Sequence, residues 1–328
     1  MADLIDRSRR PIGKAVTSGA MTPTDRDGQR LALLSVHAHP DDEASKGAAT
    51  VARYHDEGVW CVLVCCTGGE AGDILNKAVD TPDVRARLAE VRVEELEASV
   101  AAIGYDELRW LGYHDSGMPD TETNARPDNF ANAPLDEAVG RLVTIIRAAR
   151  PQVIVTYADD RQFYPHPDHI RVHEISIPAF EAAGDPTQYP DAGPAWQPSK
   201  MYYTGFSLRR VKALHDAYLR QGEESPYARW FERDFPDNDD RFTTFVDVGP
   251  WLARRRAALL AHRTQVDPDG FWMRLSDDTI REVFPWDEYI LARSTVGWPA
   301  KGDEEHDLFA GVRASERPAE RVDTLQRP

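Results

Sequence analysis

The 328-residue chain has no long apolar run, only three cysteines and a shortage of positive charge, and each of these deficits removes a class of function. A membrane-crossing helix needs about 18 or more consecutive apolar residues, so no transmembrane span and no membrane partner are expected. Lys and Arg number 39 against 55 Asp and Glu, a formal net charge of −16. Phosphate backbones are bound through a basic footprint, so nucleic acid is not expected as a partner. The opening segment, "MADLIDRSRRPIGKAVTSGAMTPTDRDGQR", lacks the apolar core of a secretory signal. Its polar, Gly/Pro-broken composition is expected to form a flexible extension over residues 1–30. The cysteines, Cys61, Cys65 and Cys66, all fall in the apolar stretch "VWCVLVCCT". They are expected to be reduced core residues rather than a disulfide or metal set, which places the protein in the cytoplasm.

From residue 31 onward apolar runs alternate with amphipathic ones. "LALLSVHA" (31–38), "VWCVLVCCT" (59–67), "ELRWLGY" (107–113) and "QVIVTYA" (152–158) have the length and apolar content of buried strands. Between them lie helix-like segments at 43–58, 83–104 (with Thr81-Pro82 as its cap) and 134–150, followed by another at 168–184. Repeated βα units of this size predict an α/β, Rossmann-like fold: a mostly parallel sheet with helices on both faces. After about residue 185 prolines and aromatics dominate, as in "SPYARWFERDF", "GFWMRL" and "FPWDEY". This part is expected to form an α+β cover over the sheet edge and the site, within a single catalytic domain spanning 31–313. The end, 314–328, reads as a flexible tail.

Ligands of parallel sheets bind beyond the carboxyl ends of the strands, and two such ends carry unusual chemistry. The first strand runs into "HAHPDDE", with His39, Asp41, Asp42 and Glu43 at its tip; the fourth is followed by "YPHPDHI" (164–170). His39 and Asp42, with His169 from the second cluster, offer two nitrogens and one oxygen. That set leaves a coordination position open, as catalytic zinc sites require. Asp41 diverges from Asp42 and is placed to act as general base on a water acidified by the ion. A non-haem iron site uses the same ligand types, but those triads usually sit on β-sandwiches, which this alternation does not support. "TGGEAG" (67–72) lacks the Lys-Ser/Thr of a phosphate loop.

The motifs "AHPDDE" (38–43) and "HPDH" (166–169) resemble those of the LmbE-like zinc hydrolases, the family of the GlcNAc-PI de-N-acetylases. Within that family, "CTGGEAGDILN", "LGYHDSGMP", "QPSKMYY", "AHRTQVDPDGFW" and "DLFAGVR" are similar, in order, to segments of the mycothiol S-conjugate amidase subfamily. The resemblance spans roughly residues 31 to 313. It implies one Zn2+ on His39, Asp42 and His169, with Asp41 as general base. It implies that His166, as imidazolium, stabilises the oxyanion or protonates the leaving nitrogen, with Asp168 orienting or tuning it. Tyr164 corresponds to a mobile tyrosine that reaches the substrate carbonyl, Arg92 to a sugar-binding arginine, and Lys46 to a lysine typical of the amidases. The expected activity is hydrolysis of the amide of a thiol S-conjugate, releasing glucosaminyl-inositol and a mercapturic acid, in detoxification or a natural-product pathway. The alternatives are an N-deacetylase of a GlcNAc-inositol glycoside and a non-catalytic conjugate binder, against which the intact Asp41 argues. Where the amidases carry a Gly-rich stretch before the second motif, this chain has Arg161, Gln162 and Phe163; Phe163 and Tyr164 are expected to border the S-substituent. His262 is expected either near the site or as a buried structural residue. His55, His114, His173, His215 and His306 receive no role, and nothing in the sequence sets the oligomeric state.

Overall fold

The apolar run at 31–38 forms a strand with every residue buried, because it lies at the centre of a sheet covered on both faces. The computed structural model describes residues 10–11, 22–159, 161, 164–232 and 237–314. Its strands are β1 (Arg10–Pro11), β2 (Ala32–His37), β3 (Trp60–Thr67), β4 (Glu107–Tyr113), β5 (Val153–Tyr157), β6 (Lys200–Thr204), β7 (Thr244–Asp247) and β8 (Trp286–Ser294). They form one sheet in the order β1-β4-β3-β2-β5-β6-β8-β7. The stretch from β4 to β6 is parallel, and β1, β8 and β7 join it antiparallel. The predicted α/β class and parallel core are therefore observed. The C-terminal region does more than cover the site, because β6, β8 and β7 extend the same sheet.

The chain proceeds from β2 outward through β3 to β4, then returns to the other side of β2 with β5. The order thus reverses between β2 and β5, and the crevice beyond that pair is where an open α/β sheet binds its ligand. Alternation along β2 divides the interior. Leu33 joins a core with Tyr54, Leu96 and Leu259, whereas Leu34 and Val36 join one with Leu142, Val172 and Phe180. The first face is covered by α2 (Ala48–Asp56), α3 (Leu88–Ile103) and α6 (Leu252–Ala261), the second by α4 (Leu135–Ala149) and α5 (Pro167–Ala183).

Two expected helices are broken. The segment 43–58 begins as a single turn, α1 (Asp42–Ser45), and restarts as α2 after Gly47, whose φ of +89° is left-handed. A Cβ at Gly47 would come within 2.9 Å of the Tyr289 hydroxyl, so the break is held by packing. The helix expected at 83–104 is interrupted at Arg87, although Thr81 does cap its first part by accepting the Val84 amide. Residues 22–30, expected within the N-terminal extension, lie against the domain. Asp25 accepts a hydrogen bond from Gln152 Nε2 at 2.8 Å, and the Leu31 amide donates to the Pro23 carbonyl at 2.9 Å. All three cysteines are free and buried, and no helix among the described residues is long and apolar enough to cross a membrane.

Candidate metal centre and active site

β2 ends at His37, and the next six residues turn sharply. Asp41 adopts φ +106°, rare for a residue with a side chain. Its neighbours hold this turn: the Asp41 amide donates to Glu43 Oε2 at 2.9 Å, and the His39 amide donates to Asp42 Oδ2 at 3.0 Å. β5 ends at Tyr157 on the adjacent strand, and α5 starts at Pro167, capped by His166. The ligand-type atoms of His39, Asp42 and His169 all lie within 4.8 Å of one another, and all three residues are buried. Asp42 Oδ2 is 3.6 Å from His39 Nδ1 and 3.3 Å from His169 Nε2. The Tyr157 ring stacks on His169 at 4.5 Å, and its hydroxyl, which takes the Ala38 amide, lies 3.0 Å from His37 Nδ1. Two imidazoles and a carboxylate converging in this way fit a divalent metal of the zinc type.

The charges around the cluster support that fit. Burial disfavours a charged His39, but Asp115, Asp168 and Asp42 overcome it and push its imidazole well above the ordinary 6.5. A proton there balances carboxylates that a bound cation would balance instead. Burial brings His169 down to about 4, which leaves it neutral and able to act as a ligand. A second trio, His39, Asp115 and His166, also comes within 4.8 Å. It shares His39 but uses the other edge of the ring, 3.6 Å from Asp115 to Nε2. The main cavity is lined by Asp41, Asp42 and His169 and not by Asp115 or His166, so the first trio is the one open to a substrate.

The Asp168 carboxylate contacts His39 directly and acts on His166, its expected partner, only through space. Its Oδ2 lies 3.1 Å from His39 Nε2 and accepts the Ser116 amide at 2.9 Å, while Oδ1 takes the Ser116 hydroxyl. The carboxylate is thus placed to hold a proton on His39 Nε2 and leave Nδ1 for the metal, the familiar carboxylate–histidine–metal arrangement. Among the described residues the one hydrogen bond at the His166 ring comes from the Asp168 amide, which donates to Nδ1 at 3.2 Å, while the Asp168 carboxylate favours the ring's charged form through space. The remaining His166 nitrogen, Nε2, therefore carries the proton of the neutral ring. Burial and the neighbouring His39 hold the His166 imidazole below its ordinary value, which disfavours the expected imidazolium near neutral pH.

Asp41 keeps a partly open carboxylate, about 30% accessible. Burial and Asp42 raise it above the usual carboxylate range, against the opposing pull of Arg92. Arg92, expected at the sugar, is itself buried and donates to Asp41 Oδ2 at 2.8 Å, to the Gly69 carbonyl at 2.7 Å and to the Pro40 carbonyl. The "TGGEAG" segment makes room for it: a Cβ on Gly69 would sit 2.6 Å from the guanidinium carbon, and one on Gly72 would sit 2.7 Å from Nη1. Lys46 donates to Asp42 Oδ1 at 2.6 Å and lines the cavity. Tyr164, about half exposed, lines it too, its ring 4.8 Å from that of His169. Phe163 lies outside the described residues. His262 is fully buried, 2.6 Å from Glu43 Oε1, and so touches the site only through the Asp41 turn.

Three participants were missed in the sequence. Asp115 and Ser116 follow β4 in the quoted "LGYHDSGMP", and Tyr157 ends β5. Their positions at strand ends were the available signal. The main cavity, about 440 Å3, is lined by Asp41, Asp42 and His169 and also by an apolar set that includes Phe206, Trp230, Leu259 and Trp272.

Comparison with known proteins bears on what occupies this cavity. The family model described as PIG-L, GlcNAc-PI de-N-acetylase, matches residues 34–180. The chain is 45% identical over 292 residues to the mycothiol S-conjugate amidase of Streptomyces coelicolor, covering 87% of this chain and 98% of that one. It is 40% identical over 301 residues to the 1D-myo-inositol 2-acetamido-2-deoxy-alpha-D-glucopyranoside deacetylase of Geodermatophilus obscurus, covering 89% and 99%. Among solved structures, the N,N'-diacetylchitobiose deacetylase of Pyrococcus horikoshii aligns with a TM-score of 0.55 at 19% identity, over 79% of this chain and 83% of that one. The conserved protein TT1542 of Thermus thermophilus aligns at 0.51 and 20% identity, over 82% and 98%. At such identities these two structures speak to the fold alone.

Proposed function

The chain belongs to the PIG-L, GlcNAc-PI de-N-acetylase, family, and from that premise we propose that it is a zinc-dependent amidase of mycothiol S-conjugates. It is a hydrolase of carbon–nitrogen bonds. The bond cut would be the amide between glucosamine and the S-substituted N-acetylcysteine, giving glucosaminyl-inositol and a mercapturic acid. The observation that carries this reading over deacetylation is the size and character of the cavity. An acetyl group needs only the space beside the metal ligands, whereas about 440 Å3 with aromatic residues in its lining suits a thioether of variable bulk. Deacetylation of a GlcNAc-inositol glycoside is the second reading, favoured by the 40% identity to a deacetylase.

His39 through Nδ1, Asp42 and His169 would hold the ion, which supplies Lewis acidity toward water and the substrate carbonyl. Asp41, raised by burial and lining the cavity, would take the proton of the attacking water. Arg92 limits that rise and fixes the carboxylate's direction. Although His166 is not among the residues that line the cavity, its ring lies 4.5 Å from that of the ligand His39; neutral with its proton on Nε2, it would donate a hydrogen bond to the oxygen that gains charge once the carbonyl is drawn in against the metal ligands. Asp41 would then return its proton to the departing glucosamine nitrogen. Lys46, bridging the ligand Asp42 and the cavity, would contact the cysteinyl part of the conjugate. Three free buried cysteines suit a reducing cytoplasm, where removal of thiol conjugates would serve detoxification or a biosynthetic carrier step. The test is mass analysis of products from a mycothiol bimane conjugate and zinc-loaded protein. A bimane mercapturic acid together with glucosaminyl-inositol is the expected pair; intact conjugate after prolonged incubation would refute the amidase.

A further inference from the structure

Where the main cavity meets a smaller one the lining changes character. Phe206, Arg210 and Trp272 line both the main cavity and a small adjoining one of about 30 Å3, which Arg255 also lines. Arg210 is buried against the Phe206 ring at 4.8 Å. The nearest acid to it, Asp287, is 3.9 Å away and already accepts the Thr50 amide and hydroxyl. Glu288 is taken up by the Ser207 amide and hydroxyl. Arg255 lies 5.9 Å from the Trp272 ring centre and has no hydrogen bond or ion pair with any carboxylate among the described residues. The adjacent Arg256 does have one, to Asp277 at 2.8 Å. A guanidinium held among aromatic rings beside a second guanidinium is electrostatically costly unless an anion joins it. Burial and the nearby Arg210 push the Arg255 guanidinium below its ordinary value, against the weaker opposing pull of Asp287, Tyr227 and Asp277, none of which is within ion-pair distance of it.

We propose that Arg255, with Arg210, forms a distal anion subsite at the end of an aromatic chamber, and that it selects S-substituents with an apolar or aromatic body and a terminal carboxylate. Arginine suits a terminal carboxylate because its planar fork can donate two parallel hydrogen bonds. Trp272 and Phe206 would pack the body of the substituent. This rests on the amidase reading for the identity of the group that enters the chamber.

The test uses two product-like probes on the zinc-loaded full chain: N-acetyl-S-benzylcysteine and N-acetyl-S-(4-carboxybenzyl)cysteine, titrated by calorimetry, with kcat/KM measured for the two matching S-conjugates. The carboxybenzyl member is expected to bind and react about tenfold better or more, the range for a hydrogen bond to a charged group. Arg255→Met should bring that ratio to about one, and Arg255→Lys, which keeps the charge without the fork, should retain part of it. Equal affinity of the two probes for the wild-type chain, or a full preference surviving in Arg255→Met, overturns the proposal. An Arg255-dependent binding preference with no conjugate cleaved would leave the subsite standing and remove the amidase reading. Cleavage of both conjugates at equal rates would do the reverse.

Discussion

Replacing Asp168 separates two roles that the motif "HPDH" leaves open. If the carboxylate serves His39, as its 3.1 Å contact with Nε2 indicates, its loss should appear first in metal affinity. Carboxylates that orient a metal-bound histidine are typically worth about 10–100-fold in affinity, or about 1.4–2.7 kcal/mol at about 1.4 kcal/mol per decade. Asp168→Asn keeps an acceptor for His39 and for the Ser116 amide but removes the charge, so it should fall near the tenfold end. Asp168→Ala removes the acceptor altogether. It strands the Ser116 amide and the His39 N–H in a buried place, each at about 1–3 kcal/mol, and should approach 100-fold while also lowering the unfolding midpoint. The assay is competition for zinc against a fluorescent chelator, with turnover measured at saturating zinc. Unchanged zinc affinity in both variants, with a displaced limb of the pH–rate profile, would refute this reasoning and return Asp168 to the service of His166.

Asp41→Asn should retain stoichiometric zinc and lose about 10²–10⁴ in kcat, the usual size of general acid–base catalysis; zinc content by atomic absorption and steady-state kinetics check both halves. The buried Glu43–His262 pair gives a pH signature. His262 is raised by Glu43 above its ordinary 6.5 and Glu43 is lowered by His262 below its ordinary 4.5, each against the opposing effect of burial. The pair's contribution is therefore complete between those ordinary values. It is lost as pH rises through the raised histidine value or falls through the lowered glutamate one. His262→Gln should cost about 3–5 kcal/mol within that window, as loss of one partner of a buried pair does, and progressively less on the alkaline side. Urea unfolding at several pH values would show it, and a cost that does not vary with pH would contradict it. Lys46→Ala should reduce cleavage of S-conjugates more than cleavage of the acetylated glycoside, measured as the ratio of the two kcat/KM values.

What could be read in the sequence follows from how local each signal is. Strands β2, β3 and β5 were legible because each is a continuous apolar run, buried on both faces, whereas β4, with Glu107 and Arg109, is partly buried and was marked by its alternation. His39, Asp42 and His169 were legible because acids and histidines at the tips of such runs have no packing reason to be there. The partnership of Asp168 was not legible, because it depends on how α5 docks beneath β2, 129 residues away in sequence. Asp115 and Ser116 sit beyond β4, two strands from β2 in the sheet, and nothing in their immediate sequence marks the approach to His39. Arg92 showed only as a helix charge. Its burial comes from Gly69 and Gly72, whose missing side chains create its place. The aromatics of "SPYARWFERDF" and "GFWMRL" were legible as a cover, but not the chamber formed by Trp230 and Trp272 with Phe206. The break at Gly47 depends on Tyr289, a contact across 242 residues that no helical periodicity reports.

The most direct test of the amidase assignment is a side-by-side measurement of kcat/KM for a mycothiol bimane conjugate and for the N-acetyl glucosaminyl-inositol, on one zinc-loaded preparation, with Asp41→Asn as the control for contaminating activity. We expect the conjugate to be the better substrate, with both activities falling in the control. Faster deacetylation of the acetylated glycoside by the same preparation would contradict the amidase and make the protein a deacetylase working through the same metal centre.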